Sequence, residues 1–102
     1  MPKNFEFINF DPANDLKTFS KEVFWLVEDK APSQAAKLAK VEKQGADYRS
    51  EIKIVSSSGT FQVDFVSPDP QAAIEGAYLK IKDVLKGWSQ SKLPEFEEPD
   101  IA

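Results

Sequence analysis

The chain contains no cysteine and no histidine. The first absence excludes a disulfide framework and thiolate chemistry. The second removes the commonest general base and leaves carboxylates and carbonyls as the only donors for a zinc site, a weak set. The four glycines, at positions 45, 59, 76 and 87, are too scattered to build a phosphate-cradling loop. No apolar run is long enough to span a bilayer. The opening MPKNFEFINF lacks the basic region, apolar core and small-residue cleavage site of a secretory signal. Ser56, Ser57 and Ser58 have no histidine to activate them and read as a hairpin tip. Asp11/Asp15 and Glu28/Asp29 are acidic pairs on helix ends or solvated faces, with no cleft implied between them. The expectation is a cytoplasmic, non-enzymatic protein with no cofactor, no metal and no membrane contact.

What remains is one domain's worth of material. A chain of 102 residues, 41% of them hydrophobic, suffices for one domain with a modest core. The formal charge of −4 is unevenly placed. Residues 1–30 carry four Lys and six Asp or Glu, residues 31–92 nine Lys or Arg and seven acids, and residues 93–102 four acids and no base. The segments therefore contribute −2, +2 and −4. Net acidity argues against tight nonspecific binding to nucleic acid, but it leaves room for a local basic surface in the middle of the chain.

The stretch from Pro68 to Trp88 organises the rest. Asp69 is suited to capping a helix and Pro70 to its first position. Ile74, Ala77, Tyr78, Ile81, Leu85 and Trp88 recur at helical spacing, with Val84 flanking them and Gly87 limiting the helix near its end. Gly76 weakens this helix slightly but permits close approach of another element. Upstream, Phe5–Phe10 reads as a strand with Phe5 and Phe7 on one face and Ile8 and Phe10 on the other. Asp11 or Asn14 caps the helix that follows, whose stripe is Leu16, Phe19, Val23, Leu26 and Val27, and which stops near Lys30 because Ala31 precedes Pro32. Phe24 lies on the flank of that stripe. Trp25 falls opposite it and is a candidate protein-contact residue.

Residues 33–44 suit either helix or strand, and a strand over Leu38–Gln44 is preferred. Tyr48–Ser56 and Thr60–Val66 alternate as clear strands joined by a hairpin turn. Leu93–Ala102 reads as an acidic flexible tail beyond a domain at 1–92. The resulting fold class is α+β, in the order β-α-β-β-β-α: a four-stranded, mostly antiparallel sheet with two helices packed on one face. Its other face would carry Lys40, Arg49, Lys53 and Gln62, with Glu42, Glu51 and Asp64 mixed in.

This order of elements resembles the ribosome hibernation-promoting factor family, also described as ribosome-associated inhibitors. The resemblance spans roughly residues 5–90. It rests on Ala39-Lys40-Val41, on Tyr48-Arg49-Ser50-Glu51-Ile52-Lys53-Ile54 with Gly59 after it, and above all on Asp69-Pro70-Gln71-Ala72-Ala73-Ile74-Glu75. Lys80-Ile81 and Leu85-Lys86 continue it in the last helix. The resemblance implies a non-catalytic factor that occupies the mRNA and tRNA channel of the small ribosomal subunit. It further implies Lys37, Lys40, Arg49, Lys53, Lys80, Lys82 and Lys86 as contacts to rRNA phosphates. The chain departs from the family in Asp83 and Gly87, where basic residues are common, in Pro32–Ala36, and in having an acidic tail in place of the long C-terminal domain of dimer-forming members. Those departures support an alternative: a divergent protein–protein interaction module on the same fold, binding a protein partner through Trp25.

Overall fold

The computed structural model describes the backbone of residues 4–32, 34–57 and 59–101, with side chains as far as Trp88. The elements run β1 (Glu6–Ile8), α1 (Asn14–Lys30), β2 (Ala36–Gln44), β3 (Asp47–Ser56), β4 (Gly59–Ser67) and α2 (Pro70–Ile101). The strands form one sheet in sequential order. β1 pairs parallel with β2, and the pairs β2–β3 and β3–β4 are antiparallel. Both helices pack on one face of the sheet, as the two apolar stripes require.

The strand preferred to a helix at Leu38–Gln44 is present and begins at Ala36, two residues before the expected start. Along it Ala39 and Val41 face the helices, while Leu38 and Lys40 alternate to the other side. Tight turns fix the register of the meander. Gln44 faces Asp47 across a turn whose first central residue, Gly45, has φ 65°, the backbone a two-residue hairpin demands there. Ser56 faces Gly59 across the next turn, and its hydroxyl donates to the Gly59 carbonyl at 3.0 Å.

β1 is shorter than the expected strand because Asn9 adopts φ 68°. That left-handed residue turns the chain back on itself. Phe10 therefore lies on the same side as Phe7, their rings 5.8 Å apart, and not on the opposite face as alternation alone predicts. Phe10 then stacks edge-on against Tyr48 at 5.0 Å.

The stripe of α1 is rotated from its expected centre. Leu16, Ser20, Val23, Phe24 and Val27 are buried, and Phe24 meets Phe5 edge-on at 6.3 Å. The small Ser20 is completely buried, and its hydroxyl finds a partner by donating to the Lys17 carbonyl at 2.9 Å. Neither Asp11 nor Asn14 caps this helix. Asn14 is already helical, and the capping position falls on Ala13, which has no side chain to offer. α2, in contrast, is capped as expected: Asp69 Oδ2 accepts from the Ala72 N–H at 2.9 Å. Ala73, Ile74, Ala77, Ile81 and Leu85 form its buried stripe. Gly87 does not limit α2, whose backbone continues to Ile101. The expected acidic tail at 93–102 falls where side chains lie outside the described residues.

Candidate functional site

The seven cations singled out from the sequence divide among four places. Lys40, Arg49 and Lys53 stand on the open face of the sheet, together with the carboxylates of Glu6, Glu42, Glu51 and Asp64. Strand alternation and register make that set unavoidable, since Lys40, Glu51 and Asp64 are cross-strand partners in one row. Arg49 donates from both Nε (3.0 Å) and Nη2 (2.7 Å) to Asp64 Oδ2. That hydrogen bond is the main reason the Arg49 pKa is raised above its ordinary value. Lys40 Nζ lies 3.5 Å from Glu51 Oε1, and the Gln62 amide also donates to Glu51. Two of the three cations on this face are therefore occupied by carboxylates, and the face carries more acid than base. Its apolar members, Leu38, Val55 and Val66, are exposed. Lys53 and Lys40 line a shallow recess with Asn4, Glu6, Leu38 and Gln62.

Lys37 lies on the opposite, helix-bearing side of the sheet, since it pairs with the buried Ile54 and alternates with Leu38. The remaining three belong to α2 and divide between two sides of it. Residues 80 and 82 lie roughly 200° apart around a helix axis, so Lys80 and Lys82 point to different sides. Lys80 reaches down over β4. Its Nζ donates to the Asp64 carbonyl at 3.0 Å and sits 5.6 Å from the Phe65 ring centre. The Phe65 ring lies against Gly76, so the close approach that this glycine permits is realised. Lys82 and Lys86, one turn apart, project outward on the exposed side and have no ion-pair partner among the described residues. Leu79, 54% exposed, stands between them and Glu75 on the same outer face.

Sequence reasoning missed two features of this region. The Lys80–Asp64 contact joins residues that carry no common motif, and only the register of β4 against α2 brings them together. Ser50 is completely buried in the sheet, and its hydroxyl has no hydrogen-bond partner among the described residues. Alternation placed it inward, but its neighbours were not legible. Trp25 is 63% exposed on the outer face of α1, as its helical position predicts, surrounded by Thr18, Lys21, Glu22 and Leu26. Among the described residues no group of three or more acids is placed to hold a metal ion, and no helix is long and apolar enough to cross a membrane.

No family model matches the chain, and no curated protein does. Solved structures do. The N-terminal domain of protein Y from Thermus thermophilus superposes with a TM-score of 0.64 at 19% identity, over 85% of this chain and 99% of that one. A ribosomal subunit interface protein from Coxiella burnetii superposes with a TM-score of 0.66 at 9% identity, over 84% of this chain and 97% of that one. The chain has the fold of these two proteins along nearly their whole described length.

Proposed function

We propose that this chain is a non-catalytic, ribosome-associated translation or hibernation factor of the cytoplasm that acts by occupying a site on the small ribosomal subunit. The observation that carries this reading is the β-α-β-β-β-α fold, shared over 84% of the chain with a protein described as a ribosomal subunit interface protein. The resemblance in Asp69–Glu75 and in Tyr48–Ile54 supports the same reading.

Among the proposed rRNA contacts, the side chains rank by how free their charge is. Lys82 and Lys86 lead, because they are exposed, one turn apart and unpaired among the described residues. Lys37, on the helix-bearing side, and Lys53, on the open face, follow. Lys40, Arg49 and Lys80 rank last, because each already holds a partner: Glu51, Asp64 and the Asp64 carbonyl. Contacts of this kind position a protein without reading sequence.

The test is co-sedimentation with ribosomes and separated subunits at two salt concentrations. Saturable binding to the small subunit is expected, weakening as salt rises. Charge reversal at both Lys82 and Lys86 should lower the slope of log affinity against log salt by about two, roughly one per lost phosphate contact. Absence of binding by folded protein at low salt would end this reading.

Trp25 supports a second one, a protein–protein interaction module. An indole exposed on a helix suits a contact hot spot, and a Trp-centred interface would be insensitive to salt. Trp25→Ala should leave ribosome binding intact under the first reading and abolish partner binding under the second.

A further inference from the structure

The two edges of the sheet are built differently. β1 offers three residues and is ended by the left-handed Asn9. β4 offers nine residues with no proline among them. An edge of that length is a template for pairing with another strand.

Its outward backbone groups follow from the turns. Ser56 and Gly59 close a two-residue hairpin and so form a hydrogen-bonded pair. Along β4, Phe61, Val63, Phe65 and Ser67 then bond to β3, while the N–H and C=O of Thr60, Gln62, Asp64 and Val66 point away from the sheet. Lys80 donates to one of those outward carbonyls, Asp64 O, at 3.0 Å. Its ammonium is steadied over Phe65, whose ring is seated against Gly76. One lysine thus occupies one of the two inner acceptors of an edge that is otherwise open among the described residues.

We propose that the β4 edge is a pairing surface for a second copy of this chain, and that Lys80 gates it. Only antiparallel registers that match outward groups to outward groups are possible. The one centred on Val63 uses the whole strand. It sets Gln62 against Asp64 of the partner copy and Thr60 against Val66, pairing amide with carboxylate and one β-branched residue with another. Shifting the centre to Asp64 places two carboxylates opposite each other. Shifting it to Gln62 carries Val66 past the end of the strand. The favoured register needs the Asp64 carbonyl that Lys80 holds, so the lysine contact competes with pairing for that acceptor.

The test is the oligomeric state by sedimentation velocity over a concentration series. Lys80→Ala should dimerise at least roughly tenfold more tightly than the natural sequence. Lys80→Arg, which keeps a donor, should not. Adding Gln62→Pro to Lys80→Ala should return the monomer, because the N–H removed points outward and serves no bond to β3. Register is read separately with a single Val63→Cys in the Lys80→Ala background. Two cysteines facing across a non-hydrogen-bonded antiparallel pair are close enough to bridge, so an oxidised dimer should form there and not from Phe61→Cys. A folded Lys80→Ala that stays monomeric overturns the proposal. So does a dimer that fails to crosslink through Val63→Cys.

Discussion

Two glycines of α2 sit in opposite surroundings, and a methyl group distinguishes them. A Cβ at Gly76 would overlap Cγ, Cδ2 and Cε2 of Phe65, whereas a Cβ at Gly87 meets nothing. Either substitution gains helix propensity, about 0.8–1.0 kcal/mol. At position 76 the overlap opposes that gain with about 1–3 kcal/mol of overpacking, which prevails because the ring's attachment atom is itself in the way. Gly87→Ala should therefore raise the urea midpoint and Gly76→Ala should lower it. Equal shifts of the same sign would mean that Phe65 does not rest on this glycine. Part of this was legible. A glycine inside a strong helical pattern signals close approach, but nothing in the sequence says which side chain approaches.

The elements were read more fully than their ends. All six appear in the expected order, most of them because they carry a clear period: two in Thr60–Val66, three and four in Ile74–Leu85. The misreadings lie where a single backbone angle or a competing neighbour decides. Asn9 turns Phe10 to the core side of the sheet. Burial of Phe24 against Phe5 rotates α1 by part of a turn. The start of α1 went to Ala13, since Asn14 is already helical. The two helix starts make a matched experiment. Ala13 has the extended backbone of a capping residue, φ −70° and ψ 162°, without the side chain. Ala13→Asp should stabilise the protein by about 1 kcal/mol, and Asp69→Ala should destabilise it by about as much. Thermal or urea denaturation of the two variants checks both signs. No gain from Ala13→Asp would mean that the first-turn N–H groups of α1 are already satisfied by water.

Across the whole molecule, the candidate site was legible as a list of residues and not as a surface. Counting showed that residues 31–92 carry the positive charge. Folding then divides those cations between both sides of the sheet and both sides of α2, and pairs two of them with acids. Such pairing depends on register across strands distant in sequence, which composition does not encode. The same topology sets how the molecule comes apart. β2, β3, β4 and α2 are joined by short connections and hold one another through adjacent pairings, so their contacts are local along the chain. β1 is attached by three parallel pairs to a strand more than thirty residues away. Losing that attachment costs the sheet one short ladder and no other pairing. Residues 4–30 should therefore open as a unit while the rest stays folded. Backbone amides of Glu6–Ile8 and α1 should exchange with deuterium well ahead of those of Ile52 and Ile54, as native-state exchange by NMR will report. In the opened form Phe5, Phe7 and Phe24 face water together, and the α2 side chains beneath α1 lose their cover. A length of chain held by three strand pairs and one buried apolar stripe would then give this small domain a second, partly unfolded shape, reached by opening at one seam.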